Sequence, residues 1–353
     1  GGTESILMAM KAYRDEARAL KPWITHPEII VPRTAHAAFD KACHYFGIKL
    51  VHVEVNQTTF QVEVSQVRRH LNRNTIALVA SAPNFPQGTI DPVEELAALA
   101  REHKIGLHVD CCLGGFFLPF AAMLDDDDDA ISSKIPKFDF SVPGVTSISA
   151  DTHKYGLSTK GSSVVMFHSK DLRKHMYFLC TAWTGGIYAS PSMAGSRSGA
   201  QIATCWASMI HMGLDGYLNS TRNIVKAVRT IRNSIERDMS DDLEICGDPV
   251  AMVIAFRSST LNVFQISDRM SHRGWALNAL QYPASVHICI TPNNAPMAEQ
   301  FISDLKSSVQ EVKTKSVDLK SGMAPMYGLA VSLPDKSIVN ELVSEVLDST
   351  LEV

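Results

Sequence analysis

Two lysines six positions apart, Lys154 and Lys160, bracket a glycine-containing turn in Asp151-Thr152-His153-Lys154-Tyr155-Gly156 and its continuation. The preceding Ser147 to Ala150 suits a short strand, which places Lys154 at a strand end, where open α/β sheets present their crevices. An amine held there loses hydration. Burial is expected to lower its pKa and make it a nucleophile suited to a Schiff base with an aldehyde. Spacing alone leaves a solvated surface lysine as the alternative.

Asp110 closes a second expected strand, in Leu107-His108-Val109-Asp110. There it can face a ring nitrogen, or serve as a helix cap or ion-pair partner. Gly1-Gly2-Thr3 opens a helix whose free N–H groups can receive a phosphate, with a plain capped helix as the other reading. His36, in Thr34-Ala35-His36-Ala37-Ala38-Phe39, can stack on a ring or cap a helix. His153 can touch a phosphate, influence proton transfer or support the turn. Ser149 or Thr152 can add phosphate hydrogen bonds, and Lys160 can neutralise a substrate phosphate or stay solvated. An amine for an aldehyde, an anion cradle and an acid for a pyridine nitrogen are together what pyridoxal 5'-phosphate requires.

A chain of 353 residues, 45% hydrophobic and 20% charged, can bury a large core. The formal charge of -4 argues against a broad nucleic-acid footprint. The seven cysteines are dispersed and odd in number, which disfavours a disulfide scaffold or structural zinc and points weakly to a reducing, cytosol-facing compartment. The run Asp125 to Asp129 reads as an exposed loop or helix entry rather than a metal cluster. No apolar run is long enough to cross a membrane. Because the chain opens as if inside a glycine-rich motif, an upstream segment is expected, and any endoplasmic-reticulum association would belong to it.

Helices are expected over Ser5 to Leu20, Ala37 to Phe46, Val64 to Leu71 and Pro92 to His103. Strands are expected at Glu28 to Val31, Leu50 to Val55, Thr75 to Ser81 and Gly106 to Asp110. This alternation predicts an α/β fold around a mostly parallel sheet. Further helices, Gln201 to Met212 and Tyr217 to Met239, lead to a smaller C-terminal α+β domain. That domain holds strands Ala251 to Phe256 and Val286 to Ile290, with helices near Ile266 to Leu280, Ala298 to Val309 and Val339 to Val353. The division is drawn as residues 1–214, a large cofactor-binding domain, and 215–353.

The motifs named above, with His108-Val109-Asp110-Cys111-Cys112-Leu113-Gly114-Gly115, Gly185-Gly186-Ile187-Tyr188-Ala189-Ser190-Pro191 and Gly195-Ser196-Arg197, occur in an order that resembles one family. It is the sphingosine-1-phosphate lyase family of the fold-type-I pyridoxal-phosphate decarboxylases, and the resemblance covers almost the whole chain. It implies a homodimer with shared active sites that cleaves phosphorylated sphingoid bases by a retro-aldol reaction. Lys154 would bond the cofactor aldehyde, Asp110 pair with the ring nitrogen and His36 stack on the ring. Gly2, Thr3 and His153 would meet the cofactor phosphate. Lys160 would bind the substrate phosphate with Ser196 of the neighbouring subunit, and Tyr188 or a water would move a proton. Phe116, Phe117, Leu118 and Phe120 are candidates for a lipid wall or for ordinary packing. An amino-acid decarboxylase using the same cofactor and lysine is the nearest alternative. Two departures from the family stand out. Cys111 replaces a smaller residue, and Leu157-Ser158-Thr159 replaces a Tyr-Ala-Pro whose proline would stiffen the loop.

Overall fold

The computed structural model describes residues 1–124, 135–314 and 337–351, so the run Asp125 to Asp129 lies outside it. The chain divides into two compact units. One is Gly1–Lys226 with Gly247–Val253 and Thr291–Asn293; the other is Ala227–Cys246, Ile254–Ile290 and Asn294–Val353.

Strand and helix alternate through the first unit: α1 (Gly2–Leu20), β1 (Glu28–Pro32), α2 (Ala38–Phe46), β2 (Lys49–Val53), α3 (Val64–His70), β3 (Thr75–Ser81), α4 (Val93–Glu102) and β4 (Gly106–Asp110). β5 (Ser147–Ala150) and β6 (Val164–Phe167) complete a six-stranded sheet in the order β2-β1-β3-β4-β5-β6. The first five strands are parallel and β6 returns antiparallel to β5. Every residue of β1, β3, β4 and β5 is buried, as strands covered on both faces require.

α1 lies in the core because its apolar side chains recur at helical spacing. Ile6, Met10, Tyr13 and Ala17 join Ile29, Val31, Phe39 and Ala77 in one buried cluster. The register sets Ser81 of β3 opposite Asp110 of β4, and Asp110 opposite Ser149 of β5. The C-terminal ends of three central strands therefore share one edge.

After β6 the chain forms a separate hairpin, β7 (Phe178–Trp183) with β8 (Gly186–Ser190), and then a long helical stretch, Gly199–Asp238. That stretch is two helices meeting at Gly213, whose φ of 58° and ψ of -175° lie where a side chain is disfavoured. The expected pair of helices is thus present, with glycine as the joint.

The second unit carries a four-stranded sheet in the order β11-β12-β10-β9: β9 (Glu244–Ile245), β10 (Val253–Arg257), β11 (Asn278–Leu280) and β12 (Ser285–Cys289). Its helices include Val263–His272, Ala298–Thr314 and Ser337–Leu351. The expected helix over Ile266 to Leu280 is half right: it ends at His272, and Asn278–Leu280 pairs antiparallel with β12. Gly274, with φ of 88°, sits in the turn that separates them. Among the described residues no helix is long and apolar enough to cross a membrane.

Candidate active site

The shared strand edge borders a cleft of about 560 Å³ whose lining includes Gly2, Thr3, His36, Cys112, Asp151, His153 and Lys154. Each comes from an element end. Gly2 and Thr3 form the first turn of α1, and His36 precedes α2. Cys112 follows β4, and residues 151–154 follow β5. Gly2, Thr3, His36, His153 and Lys154, all singled out in the sequence, are therefore brought together here.

The opening turn of α1 leaves N–H groups that can receive an anion. Its first intrahelical bonds run from the Glu4 and Ser5 N–H groups to Gly1 O, at 2.9 and 3.2 Å. The Gly2 and Thr3 N–H groups remain at the positive end of a 19-residue helix. Gly2 is glycine for a spatial reason: a Cβ there would lie 2.6 Å from both carboxylate oxygens of Asp151.

Asp151 is the residue that sequence reading passes over, although it stands within the lysine motif. It is 2% exposed, and its Oδ2 lies 2.9 Å from Lys154 Nζ and 3.5 Å from His153 Nε2. Its Oδ1 is buried without a hydrogen-bond partner. An acid three residues before a lysine in a tight turn is the available signal. This pairing corrects the expected direction of the Lys154 pKa. Burial alone would lower it, but the charge and hydrogen bond of Asp151, with smaller contributions from Cys112 and Asp110, raise it above the ordinary lysine value. His153 moves the other way. Burial lowers its pKa, Asp151 opposes that, and the charges of Lys154 and Lys160 reinforce it. Its Nδ1 accepts the Gly161 N–H at 2.9 Å, which ties the turn after Lys154 to the site.

Asp110 is buried at the end of β4 next to this cleft. Its Oδ1 accepts the Cys112 N–H at 3.0 Å and the Ser149 hydroxyl at 3.1 Å. Ser149 is fully buried in this network, so it serves the acid and not a phosphate. Because its one proton goes to Asp110, it accepts from His108 Nε2–H at 3.1 Å. His108 Nδ1 is then the acceptor for the Ser147 hydroxyl at 2.8 Å, and the Tyr13 hydroxyl lies 2.5 Å from Ser147 Oγ and 2.7 Å from Thr146 Oγ1. Burial holds the His108 pKa down at about 4, partly offset by Asp110, which favours the neutral ring. A chain of hydrogen bonds thus runs from the middle of α1 to the buried acid.

His36 is exposed, and its Nδ1 accepts the Ala38 N–H at 3.0 Å. That bond meets a first-turn N–H of α2 from the residue before its N-cap, Ala37, and the His36 ring lines the cleft. Thr152 donates to Ser162 Oγ at 2.7 Å and lines a second groove with Ser196, Arg197, Gly161 and Trp206. That groove, about 680 Å³, shares Gly1 and Glu4 with the first. Lys160 and Tyr188 line neither; Lys160 is exposed, and Tyr188 sits on the β8 side of the hairpin. Phe117 and Leu118 are core residues, and Phe120 stacks on Tyr217 at 4.9 Å, so ordinary packing accounts for that segment. Cys111 is fully buried too, which raises its thiol pKa well above the usual value. The missing proline of the loop is offset by hydrogen bonds: Ser208 Oγ donates to Leu157 O and Tyr217 O–H to Gly156 O, both at 2.8 Å. Leu157 itself is held at φ 56°, a strained value for leucine.

An amine, an anion cradle beside it and a hydrogen-bonded acid at one strand edge match the requirements of an aldehyde-bearing phosphorylated pyridine. Comparison with known proteins agrees. The pattern described as the pyridoxal-dependent decarboxylase conserved domain matches residues 1–259. Sphingosine-1-phosphate lyases of Dictyostelium discoideum and Arabidopsis thaliana are 48% and 47% identical over 99% of this chain. The chain spans 64% and 62% of their lengths, less than two thirds. A Burkholderia pseudomallei sphingosine-1-phosphate lyase structure superposes with a TM-score of 0.88 at 38% identity, covering 100% of this chain and 73% of that one. A Lactobacillus brevis glutamate decarboxylase, 22% identical with a TM-score of 0.74, shares the fold over 90% of this chain and 75% of its own. The chain belongs to the pyridoxal-dependent decarboxylase family, and its cofactor is pyridoxal phosphate.

Proposed function

We propose that the protein is a carbon–carbon lyase that cleaves phosphorylated sphingoid bases, such as sphingosine 1-phosphate, to phosphoethanolamine and a long-chain aldehyde. The observation that carries the reading is the meeting of Lys154, the α1 cradle and the neighbour of Asp110, Cys112, at one cleft. Relatives named for that activity, at 46–48% identity over nearly all of the chain, support the substrate class.

Pyridoxal phosphate, when bound, supplies an aldehyde for an amine and a conjugated ring that accepts the electron pair released when a substrate bond breaks. The remaining tasks fall to the chain. Lys154 provides the amine. Gly2 and Thr3 hold the phosphate by backbone N–H groups, with His153 beside them. Asp110, whose Oδ1 accepts from Ser149 and Cys112, meets the protonated ring nitrogen and favours electron flow towards it. His36 stacks on the ring with its plane set by Ala38.

Lys160 and Ser196 bind the substrate phosphate, and Tyr188 moves a proton. Ser196 lines the neighbouring groove and Tyr188 stands on an exposed hairpin, which suits groups offered to the site of a second copy. The surface supports such pairing. Ile187 on the hairpin is 81% exposed, and Trp206 and Ile210 on the long helix are each 66% exposed. A homodimer is the assembly we assign.

The test is incubation of the full-length protein and cofactor with a phosphorylated sphingoid base, followed by identification of both products. Phosphoethanolamine together with a long-chain aldehyde supports the lyase. Release of CO₂ from an amino acid, with the sphingoid base untouched, overturns it in favour of a decarboxylase.

A further inference from the structure

We propose that Asp151 is a positioning residue that holds the Lys154 ammonium group beside the first turn of α1 until an aldehyde carbonyl takes the amine. The proposal rests on the reading of Lys154 as the aldehyde-binding lysine, and it assigns a role to a group that reading leaves unused.

The geometry carries it. Asp151 Oδ2 is 2.9 Å from Lys154 Nζ, whereas Oδ1 is buried with no partner. Leaving one oxygen of a buried carboxylate unsatisfied is unfavourable, so the site is not arranged for the carboxylate's own comfort. Both oxygens fill the space that a side chain at residue 2 would take, which fixes the carboxylate against the positive end of α1. One acid is thus clamped between the anion cradle and the amine.

Several other charged groups surround this pair. His153 approaches Asp151 Oδ2 at 3.5 Å, and Asp110 and Cys112 act on Lys154 from the end of β4. Glu4 of α1, His36 just before α2, and Lys41 and Tyr45 of α2 line the same cleft. Of these, Asp151 makes the direct contact with Nζ and has the strongest charge effect on it.

The step it governs balances simply. The ammonium gives one proton to water, and the freed nitrogen lone pair adds to the aldehyde carbon. The carbonyl oxygen leaves as water with the two hydrogens still on nitrogen, and the C=N bond replaces both N–H bonds, including any through which Asp151 held the group. Asp151 therefore places the nitrogen but delays its deprotonation. Its removal should free the amine at lower pH.

The experiment uses full-length protein stripped of its cofactor and offered pyridoxal, which lacks the phosphate. The rate of C=N formation is followed by absorbance across pH in wild type, Asp151→Asn and Asp151→Ser. Borohydride trapping and peptide mass locate the modified lysine. The expected result is a pH–rate midpoint above the ordinary lysine value in wild type, falling by roughly 1–3 units in the variants. At neutral pH the variants then capture pyridoxal at least about tenfold faster. Superimposable profiles in folded variants overturn the proposal. So does a wild-type midpoint well below that of ordinary lysine, a measurement that stands even if both variants misfold. Labelling of another lysine overturns both this proposal and the reading of Lys154. Failure to cleave the sphingoid base leaves the pyridoxal result intact and bears only on the substrate.

Discussion

At the scale of single residues the proposed roles separate cofactor capture from substrate choice. Lys154→Ala removes the amine paired to Asp151, and we expect covalent cofactor and turnover to vanish together while the fold persists. Retention of the cofactor's imine absorbance by the folded variant would contradict this. Lys160 is exposed, and its role is tested by selectivity. Lys160→Ala should raise KM for a phosphorylated sphingoid base about 10–100-fold, the equivalent of losing one charged hydrogen bond of about 1.5–3 kcal/mol. An analogue without the phosphate should be unaffected, and steady-state kinetics on both compounds decide it. That Lys154, His36 and the Gly2-Thr3 start meet at one cleft, with Asp110 beside it, is legible because each is a chemically distinctive type at an element end. Asp151 is not, because its importance depends on a turn that folds its carboxylate back onto Lys154 and under Gly2. That contact is not visible in a string of residue types. The same contact reverses the pKa shift that burial alone implies.

At the scale of elements, β4 carries chemistry on alternate positions, with His108 and Asp110 both tied to β5 through Ser147 and Ser149. Strand alternation foretells that they share a face, but their joint bonding to β5 needs the register, which periodicity does not supply. The low pKa of His108 has a consequence for stability. Its folded value, about 4, lies below the unfolded value of about 6.5, so the unfolded chain takes up the proton first as pH falls. The contribution of His108 is complete above pH 6.5 and is lost towards pH 4, at about 1.4 kcal/mol per unit. His108→Gln removes that dependence. Urea melts at pH 7 and pH 5.5 should therefore show the gap between wild type and variant narrowing on acidification; a constant gap would refute the assignment. The expected helix over Ile266 to Leu280 fails for a related reason: pattern alone does not mark Gly274 as a stop before a three-residue strand.

At the scale of the whole molecule, the mostly parallel sheet is readable because buried strands alternate with amphipathic helices in the sequence. The surface is less readable: exposed Ile187, Trp206 and Ile210 look like core residues in a linear pattern. Their exposure predicts self-association. Ile187→Asp with Trp206→Glu should convert a dimer to a monomer in light scattering, with activity lost in parallel; an unchanged mass would refute the assigned interface. A last consequence follows from α1, whose opening residues are the proposed phosphate cradle and whose Tyr13 joins the hydrogen-bond chain that ends on Asp110. One rigid rod, advancing about 1.5 Å per residue, thereby acts as a gauge between the two poles of the binding site. An extra alanine spliced between Thr3 and Tyr13 would twist one pole about 100° relative to the other. The span cannot be retuned one residue at a time, so length variation here should be confined to loops.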